Sequence, residues 1–405
     1  MIFMSTYMFS FRYNRGNIGG SGGVNYKLMA ANESLKLISG LTHFFREDTE
    51  GKINNKGIQH KLMFLRKFGS IDIVLKKYLL NKAIKWMENL DANNCFEPED
   101  VYIFHDIEGA YAFFRVHPDY KKVMLVYHQQ GSLYDEWSAS FNVHSRCYKN
   151  YLNKLLLDIF SKCYAIGFPS KGARDVLIEH NKYVKELLDK KKSFVLYNGV
   201  DIPEILPMVK SEKVKEAINR IKNVEEPIFI SVSNLNYAKG VDQIPKYLMH
   251  MRKKHQKFFW VIVGDGVMSE SLCNEIAANK IEENVIWLKS KIPNTDILNL
   301  FKYGDYYIML HRWSIFDLAT LEAMGLGCIP ILSNTGGNPE VIIENNGFLV
   351  DSEDYKSVAE SVDNTLDLIP SLSLLNKKIQ CDNFSVLSML KRYKEMIESL
   401  DDLTI

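Results

Sequence analysis

The chain has 405 residues, 46% of them hydrophobic and 24% charged, with a formal net charge of +1. That length exceeds one ordinary core and calls for two domains of roughly 200 residues each. The near-neutral balance excludes a global field suited to nucleic acid, and the absence of any run of ~18 consecutive apolar residues excludes a membrane-spanning helix.

The start, MIFMSTYMFSFRYNRG, has no basic stretch before its apolar residues and no small-residue cleavage pattern, so it does not read as a secretory signal. Its apolar part begins a series of short runs that are hydrophobic throughout. VYIFHD from 101, VMLVYHQ from 123 and SFVLYNGV from 193 continue it, followed by PIFISVS from 227 and FFWVIVGDG from 258. VIWLKS from 285, YYIMLH from 306 and CIPILS from 328 complete it. Strands without polar alternation are covered on both faces, which predicts parallel sheets in an α/β fold. Segments of helical length and period, such as 241–256 and 267–281, lie between them. The Lys- and Glu-rich stretch 209–226 separates two such series and marks a boundary near 201–226. The organisation expected is 1–203 as an N-terminal Rossmann-like domain, 204–380 as a C-terminal one, and 381–405 as a closing amphipathic helix. The cysteines, Cys95, Cys147, Cys163, Cys273, Cys328 and Cys381, form no CxxC pair. Their irregular spacing predicts free thiols and a cytoplasmic chain without zinc or disulfides.

In open α/β sheets, ligands sit beyond the carboxyl ends of the strands. That rule directs attention to the polar residues just after each apolar run. GNIGGSGGV, from 16, follows the first run; Gly19 and Gly20 allow a ligand close to the backbone, with a helix N-terminus behind them. His105, with Asp106 beside it, and His128 each end a run, where an imidazole can donate to a sugar hydroxyl or a developing oxyanion. Lys239, in SNLNYAKGVDQI, stands before a helix, where an ammonium can neutralise a phosphate; a solvated surface lysine is the alternative. Gly264 opens a GDG turn. Glu322 sits among apolar residues on the helix expected in DLATLEAMGLG, and a buried carboxylate needs a partner, either a ribose diol or an internal Arg or Lys. Ser314 and Asp317 stand near the start of that helix, in cap positions.

The stretches LEAMGLGCIPILSNTGGNPEVI and NNGFLV, with SNLNYAKGVDQI, VIVGDG, LYNGVD and the N-terminal Gly-rich loop, resemble the family 4 retaining glycosyltransferases. That resemblance implies the GT-B architecture, two facing Rossmann-like domains with a cleft between them and a last helix crossing back to the first domain. It implies transfer of a hexose-type sugar from a nucleotide-sugar, UDP-linked in most of the family, to a hydroxyl of a glycan or lipid-linked saccharide. The setting would be cell-surface polysaccharide synthesis, with retained configuration and no metal or other cofactor. Lys239 would then hold the donor diphosphate and Glu322 the ribose. Gly20 and its neighbours would approach the diphosphate, and the amides of Phe316, Asp317 and Leu318 would face the sugar or phosphate. His128 would sit beside the transferred sugar, while His105 and Asp106 fall to the acceptor. Two positions depart from the family pattern. Ser314 replaces the first Glu of E-x7-E, and Asn234 replaces an Arg in the phosphate segment. Asp317 or Arg312 is the neighbour expected to compensate. A catalytically silent GT-B protein that binds glycan or partners an active transferase is the second expectation, resting on those two replacements.

Residues 61–86 carry seven Lys or Arg and one acid, Asp72, interleaved with Leu, Ile, Phe and Trp. They read either as a basic amphipathic segment on the inner face of the cell membrane, making the protein peripheral there, or as a helix with a solvated basic face.

Overall fold

The apolar runs become the strands of two sheets. The computed structural model describes residues 5–13, 20–48, 70–129, 131–141, 144–179, 181–253 and 257–400. The first sheet is built from β1 (Thr6–Ser10), β2 (Leu41–Phe45), β3 (Val101–Phe104), β4 (Val123–Val126), β5 (Ala165–Phe168) and β6 (Lys192–Val195). The second comprises β7 (Ile228–Val232), β8 (Phe259–Val263), β9 (Val285–Leu288), β10 (Tyr306–Met309), β11 (Ile329–Ser333) and β12 (Phe348–Val350). Spatial order is β2-β1-β3-β4-β5-β6 in one and β12-β11-β10-β7-β8-β9 in the other, and every pairing is parallel. Parallel neighbours require helical crossovers, so each sheet is covered on both faces, as its unbroken apolar strands demand.

The chain divides into two compact units, Met1–Asn198 with Val386–Ile405, and Gly199–Ser385. Strand order reverses between β1 and β3 in the first and between β7 and β10 in the second. Such a switch point parts the loops that leave the two strands and opens a crevice at their carboxyl ends. His105 follows β3 in one unit; in the other, Lys239 follows β7 and His311 follows β10.

Helix Glu212–Ile221 occupies the polar stretch that reads as a boundary in the sequence. It buries Val214, Ala217, Ile218 and Ile221 and lies inside the second unit. Ser385 stops helix Ile369–Phe384, and the final helix, Val386–Glu398, begins again at the next residue. Met389, Leu390, Tyr393 and Met396 of that final helix are buried, and it packs on helix Gly20–Leu35 of the first unit.

Within the basic segment, residues 61–69 lie outside the described residues. The rest enters helix Ser70–Asp91, which sends Leu80, Ala83, Trp86, Met87 and Leu90 into the core. Lys76 turns inward too, 2.6 Å from Glu108, with side chains only 10% and 2% exposed. Burial alone would raise the Glu108 pKa, but the Lys76 ammonium and the Arg12 guanidinium hold it down to about 2. Removing one partner of a buried pair leaves an uncompensated charge. Lys76→Met is therefore expected to cost about 3 kcal/mol in chemical denaturation; a loss near zero would show Glu108 to be neutralised by other groups. No helix among the described residues is long and apolar enough to cross a membrane.

Candidate functional site

In the second unit, the chain leaves β7 through Asn234 and makes a short turn, Tyr237–Lys239, in which the Lys239 amide donates to the Asn236 side chain at 3.2 Å. Gly240 then adopts φ 60°, and a Cβ there would collide with the Leu310 carbonyl oxygen. Only glycine lets this turn lie against the end of β10. The result sets the Lys239 Nζ 2.8 Å from Asp317 Oδ1.

Asp317 stands at the N-cap position of helix Leu318–Leu326, yet its carboxylate makes no capping bond. Its Oδ2 accepts from the Tyr307 hydroxyl at 3.1 Å and from Thr320 Oγ1 at 3.4 Å. Burial would raise its pKa; the Lys239 ammonium, with the hydrogen bonds from Lys239 and Tyr307, outweighs burial and holds it at about 2. The Asp317 carboxylate therefore stays charged at neutral pH. Beside it, His311 is 2% exposed, and both its ring nitrogens lack a hydrogen-bond partner among the described residues. Burial, then the Lys239 charge, pushes its pKa down to about 3, so the ring is a neutral donor and acceptor.

Glu322 lies five residues beyond Asp317 on the same helix and is 9% exposed. Both its oxygens accept from Asn294 Nδ2 at 3.1 Å. Ser314 is buried, and its carbonyl accepts from the Gly337 amide at 3.2 Å. Phe316 is buried with its ring 5.4 Å from that of Phe384, while Leu318 is half-buried. Asn234 is exposed and next to Leu235, whose amide bonds the Asp265 carbonyl at 3.1 Å in the turn opened by Gly264. Arg312 is already committed. It grips Asp242 with contacts of 2.8 and 2.7 Å, donates to the Tyr237 carbonyl and stacks 4.1 Å above the Tyr237 ring. Its geometry is that of a brace for the lysine turn, not of a free charge replacing Glu at position 314.

In the first unit, β3 and β4 are neighbours, and the histidines that follow them meet: His105 Nδ1 and His128 Nε2 are 3.1 Å apart. The His43 ring lies 6.1 Å from His105 on one side and the Tyr393 ring 5.8 Å away on another. Asp106 caps helix Ile107–Val116, accepting from the amides of Gly109 at 2.7 Å and Arg12 at 3.1 Å. Both its oxygens thus serve the fold, and burial together with Glu108 pushes its pKa up to about 7. Gly19 lies outside the described residues; Gly20 opens helix Gly20–Leu35.

Burial lowers the His128 pKa to about 4. A group depressed below its unfolded value of about 6.5 takes up its proton first in the unfolded chain. Stability is then lost as pH falls from about 6.5 towards 4. His128→Gln is expected to shrink the loss of unfolding free energy between about pH 7 and pH 5 by about 2 kcal/mol. An unchanged loss in denaturant titrations would contradict a neutral buried imidazole.

The structure thus gathers Lys239 and Asp317 in the second unit and His105 and His128 in the first. The sequence-based choice of site residues omits His311, Asn294 and Tyr307. His311 obeys the same rule as His105, a histidine directly after an apolar run. Asn294 and Tyr307 carry no local signal. Among the described residues, no group of three or more His, Cys, Asp or Glu is arranged to hold a metal ion.

Residues 213–378 match the family Glycosyl transferases group 1. A UDP-Gal:alpha-D-GlcNAc-diphosphoundecaprenol alpha-1,3-galactosyltransferase of Escherichia coli is 27% identical over 244 residues, 56% of this chain and 61% of that protein. The chain covers 61%, 45% and 39% of the length of the first three curated relatives it matches. Sucrose-phosphate synthase from Thermosynechococcus elongatus superposes with a TM-score of 0.68 at 13% identity, covering 99% of this chain and 100% of that one. Anabaena HepE, solved in complex with UDP, gives a TM-score of 0.61 at 16% identity over 98% and 100%. At such identities these structures establish the fold, the two-domain α/β architecture of GT-B proteins. Segment and fold together make this chain similar to the group 1 glycosyl transferases, and a glycosyltransferase is the kind of protein they support.

Proposed function

We propose that the chain is a retaining glycosyltransferase that moves a hexose-type sugar from a UDP-linked donor to a hydroxyl of a glycan or lipid-linked saccharide. The observation that carries this reading is the ammonium of Lys239 at the start of a helix that bears a buried carboxylate, Glu322, less than two turns on. A lysine and the amides of a helix N-terminus attract a diphosphate. A carboxylate accepts from a ribose diol. The E. coli galactosyltransferase, named for a UDP-Gal donor and a lipid diphosphate acceptor, supports the donor and acceptor classes.

In this reaction the bond between the anomeric carbon and the diphosphate oxygen breaks, and a bond to the acceptor oxygen forms on the same face. The departing phosphate takes the acceptor proton. Lys239 and the amides of Phe316, Asp317 and Leu318 stabilise charge as it grows on the leaving group. Asn234, Gly264 and Ser314 belong to the donor's surroundings in this reading. In the first unit, His128 supplies a neutral N–H for a sugar hydroxyl. His105 sets its tautomer through their shared hydrogen bond, and Asp106 holds the strand end on which His105 sits. No metal enters the mechanism. A peripheral seat on the inner face of the cell membrane completes the proposal, resting on Lys77 and Lys85, which remain exposed.

The test is release of free nucleotide from a panel of sugar nucleotides. Release from one donor, lost in Lys239→Ala and in Glu322→Ala, is the expected result. A second reading, a silent GT-B protein that binds glycan or partners an active enzyme, draws on Ser314 and on Lys239 being already paired. Absence of both release and nucleotide binding would favour it.

A further inference from the structure

The first unit has a second concentration of chemistry, at the opposite end of its sheet from His105 and His128. A cavity of about 840 Å³ opens where β4, β5 and β6 begin. Three segments converge on it from distant parts of the sequence: Pro118–Lys121 before β4, Lys162–Tyr164 before β5 and Lys190–Lys192 at the start of β6. Five lysines line it, and Asp119 is the one acid among the lining residues.

Among the described residues, only Lys162 of these lysines is paired with a carboxylate. Lys121 and Lys190 are exposed, and their ammonium groups make no hydrogen bond or ion pair among the described residues. Lys192 reaches only the Ser399 carbonyl, at 3.4 Å, and the Tyr164 ring, at 5.8 Å. Lys162 shares Asp158 at 3.0 Å on an exposed helix face. Lys191 differs: it donates to the Cys163 carbonyl, so its stem forms part of the wall. Like charges brought together at the ends of three adjacent strands repel one another, and a surface that tolerates this gains from an anion between them. The charges are all ammonium groups, compact donors that suit phosphate oxygens as point charges; no guanidinium fork selects a planar carboxylate. Tyr120, Tyr164 and Phe114 add aromatic walls for a less polar remainder of the ligand. The volume lies within the range of small-molecule sites.

We propose that this cavity is a second anion site that takes a phosphate group of two or more charges, separate from the carboxyl-end residues assigned above. The ligand is a soluble phosphorylated compound or the headgroup of an anionic lipid. The experiment uses the full chain carrying Lys239→Ala, so that diphosphate cannot report on the proposed donor site. Inorganic diphosphate is titrated calorimetrically at about 0.15 M salt, where exposed charges are already screened. In parallel, phosphatidylglycerol and phosphatidylcholine vesicles are used for cosedimentation. Adding Lys121→Gln and Lys190→Gln, both exposed and outside the core, is expected to weaken diphosphate binding at least about tenfold. Loss of phosphatidylglycerol binding in the same variant identifies a lipid headgroup; retention of it identifies a soluble phosphate. Affinity for both probes unchanged by the double substitution overturns the proposal, as does a parent chain that binds neither. Failure at Lys239 would leave this result untouched, so the two readings fall separately.

Discussion

Lys239→Ala is expected to slow donor turnover by about 10²–10³-fold, the effect of removing one preorganised charge from a developing oxyanion. The loss should appear in kcat, because the contact strengthens as charge moves to the leaving phosphate. The ion pair makes the experiment sharper. Lys239 is 2.8 Å from Asp317, so a bound diphosphate must share the ammonium with a carboxylate or displace it. Asp317→Asn keeps the hydrogen bonds with Tyr307 and Thr320 within reach while removing the competing charge. It is expected to tighten binding of UDP about tenfold, by roughly the 1.4 kcal/mol of one charge-assisted contact. Weaker binding in Asp317→Asn would mean that the carboxylate contacts the ligand itself. Calorimetric titration of UDP against the parent chain, Lys239→Ala and Asp317→Asn separates these outcomes.

Glu322→Ala is expected to weaken UDP binding by about 10²-fold, two hydrogen bonds to a charged acceptor at roughly 1.5 kcal/mol each. The parent chain should lose a similar factor when given a 2′,3′-dideoxy nucleotide, and Glu322→Ala should lose little more on that change. Such coupling isolates the carboxylate–diol contact from general damage to the helix. Independent, additive losses would show that Glu322 acts on the fold through Asn294 and not on the ribose.

Much of the architecture was legible because both faces of each sheet are covered. VYIF, VMLV, FWVIV and YYIM are unbroken apolar runs, and each is a strand. The strands that escape notice are those whose sequences break that rule. LTHFF in β2 carries Thr and His, AIGF in β5 contains Gly, and FLV in β12 has three residues. The stretch 209–226 looks like a connector because its charges dominate the composition, although its apolar residues recur at helical spacing and are buried. At the site, rules about strand ends select Lys239 and the two histidines of the first unit. What no local rule supplies is pairing. Asp317 is 78 residues from Lys239, and Asn294 is 28 from Glu322. Each partner lies on a different crossover, brought in by sheet order. A cap position suggests that Asp317 bonds its own helix; the half-buried Lys239 outbids those amides, since an ammonium gains more from a carboxylate than a neutral N–H does.

The final helix has a consequence for how the protein is made. The first unit is interrupted after Asn198 and resumes at Val386, so its last apolar face is synthesised after the whole of the second unit. At about 5–20 residues per second, the ribosome needs roughly 10–40 s to traverse that insertion. During this interval the helix that begins at Gly20 awaits the final helix, while the second unit is a continuous stretch synthesised in full by the interval's end. The nascent chain therefore acquires its halves in reverse order of their first residues. Truncation just before Val386 should yield a chain whose later half is native and whose earlier half is held by chaperones.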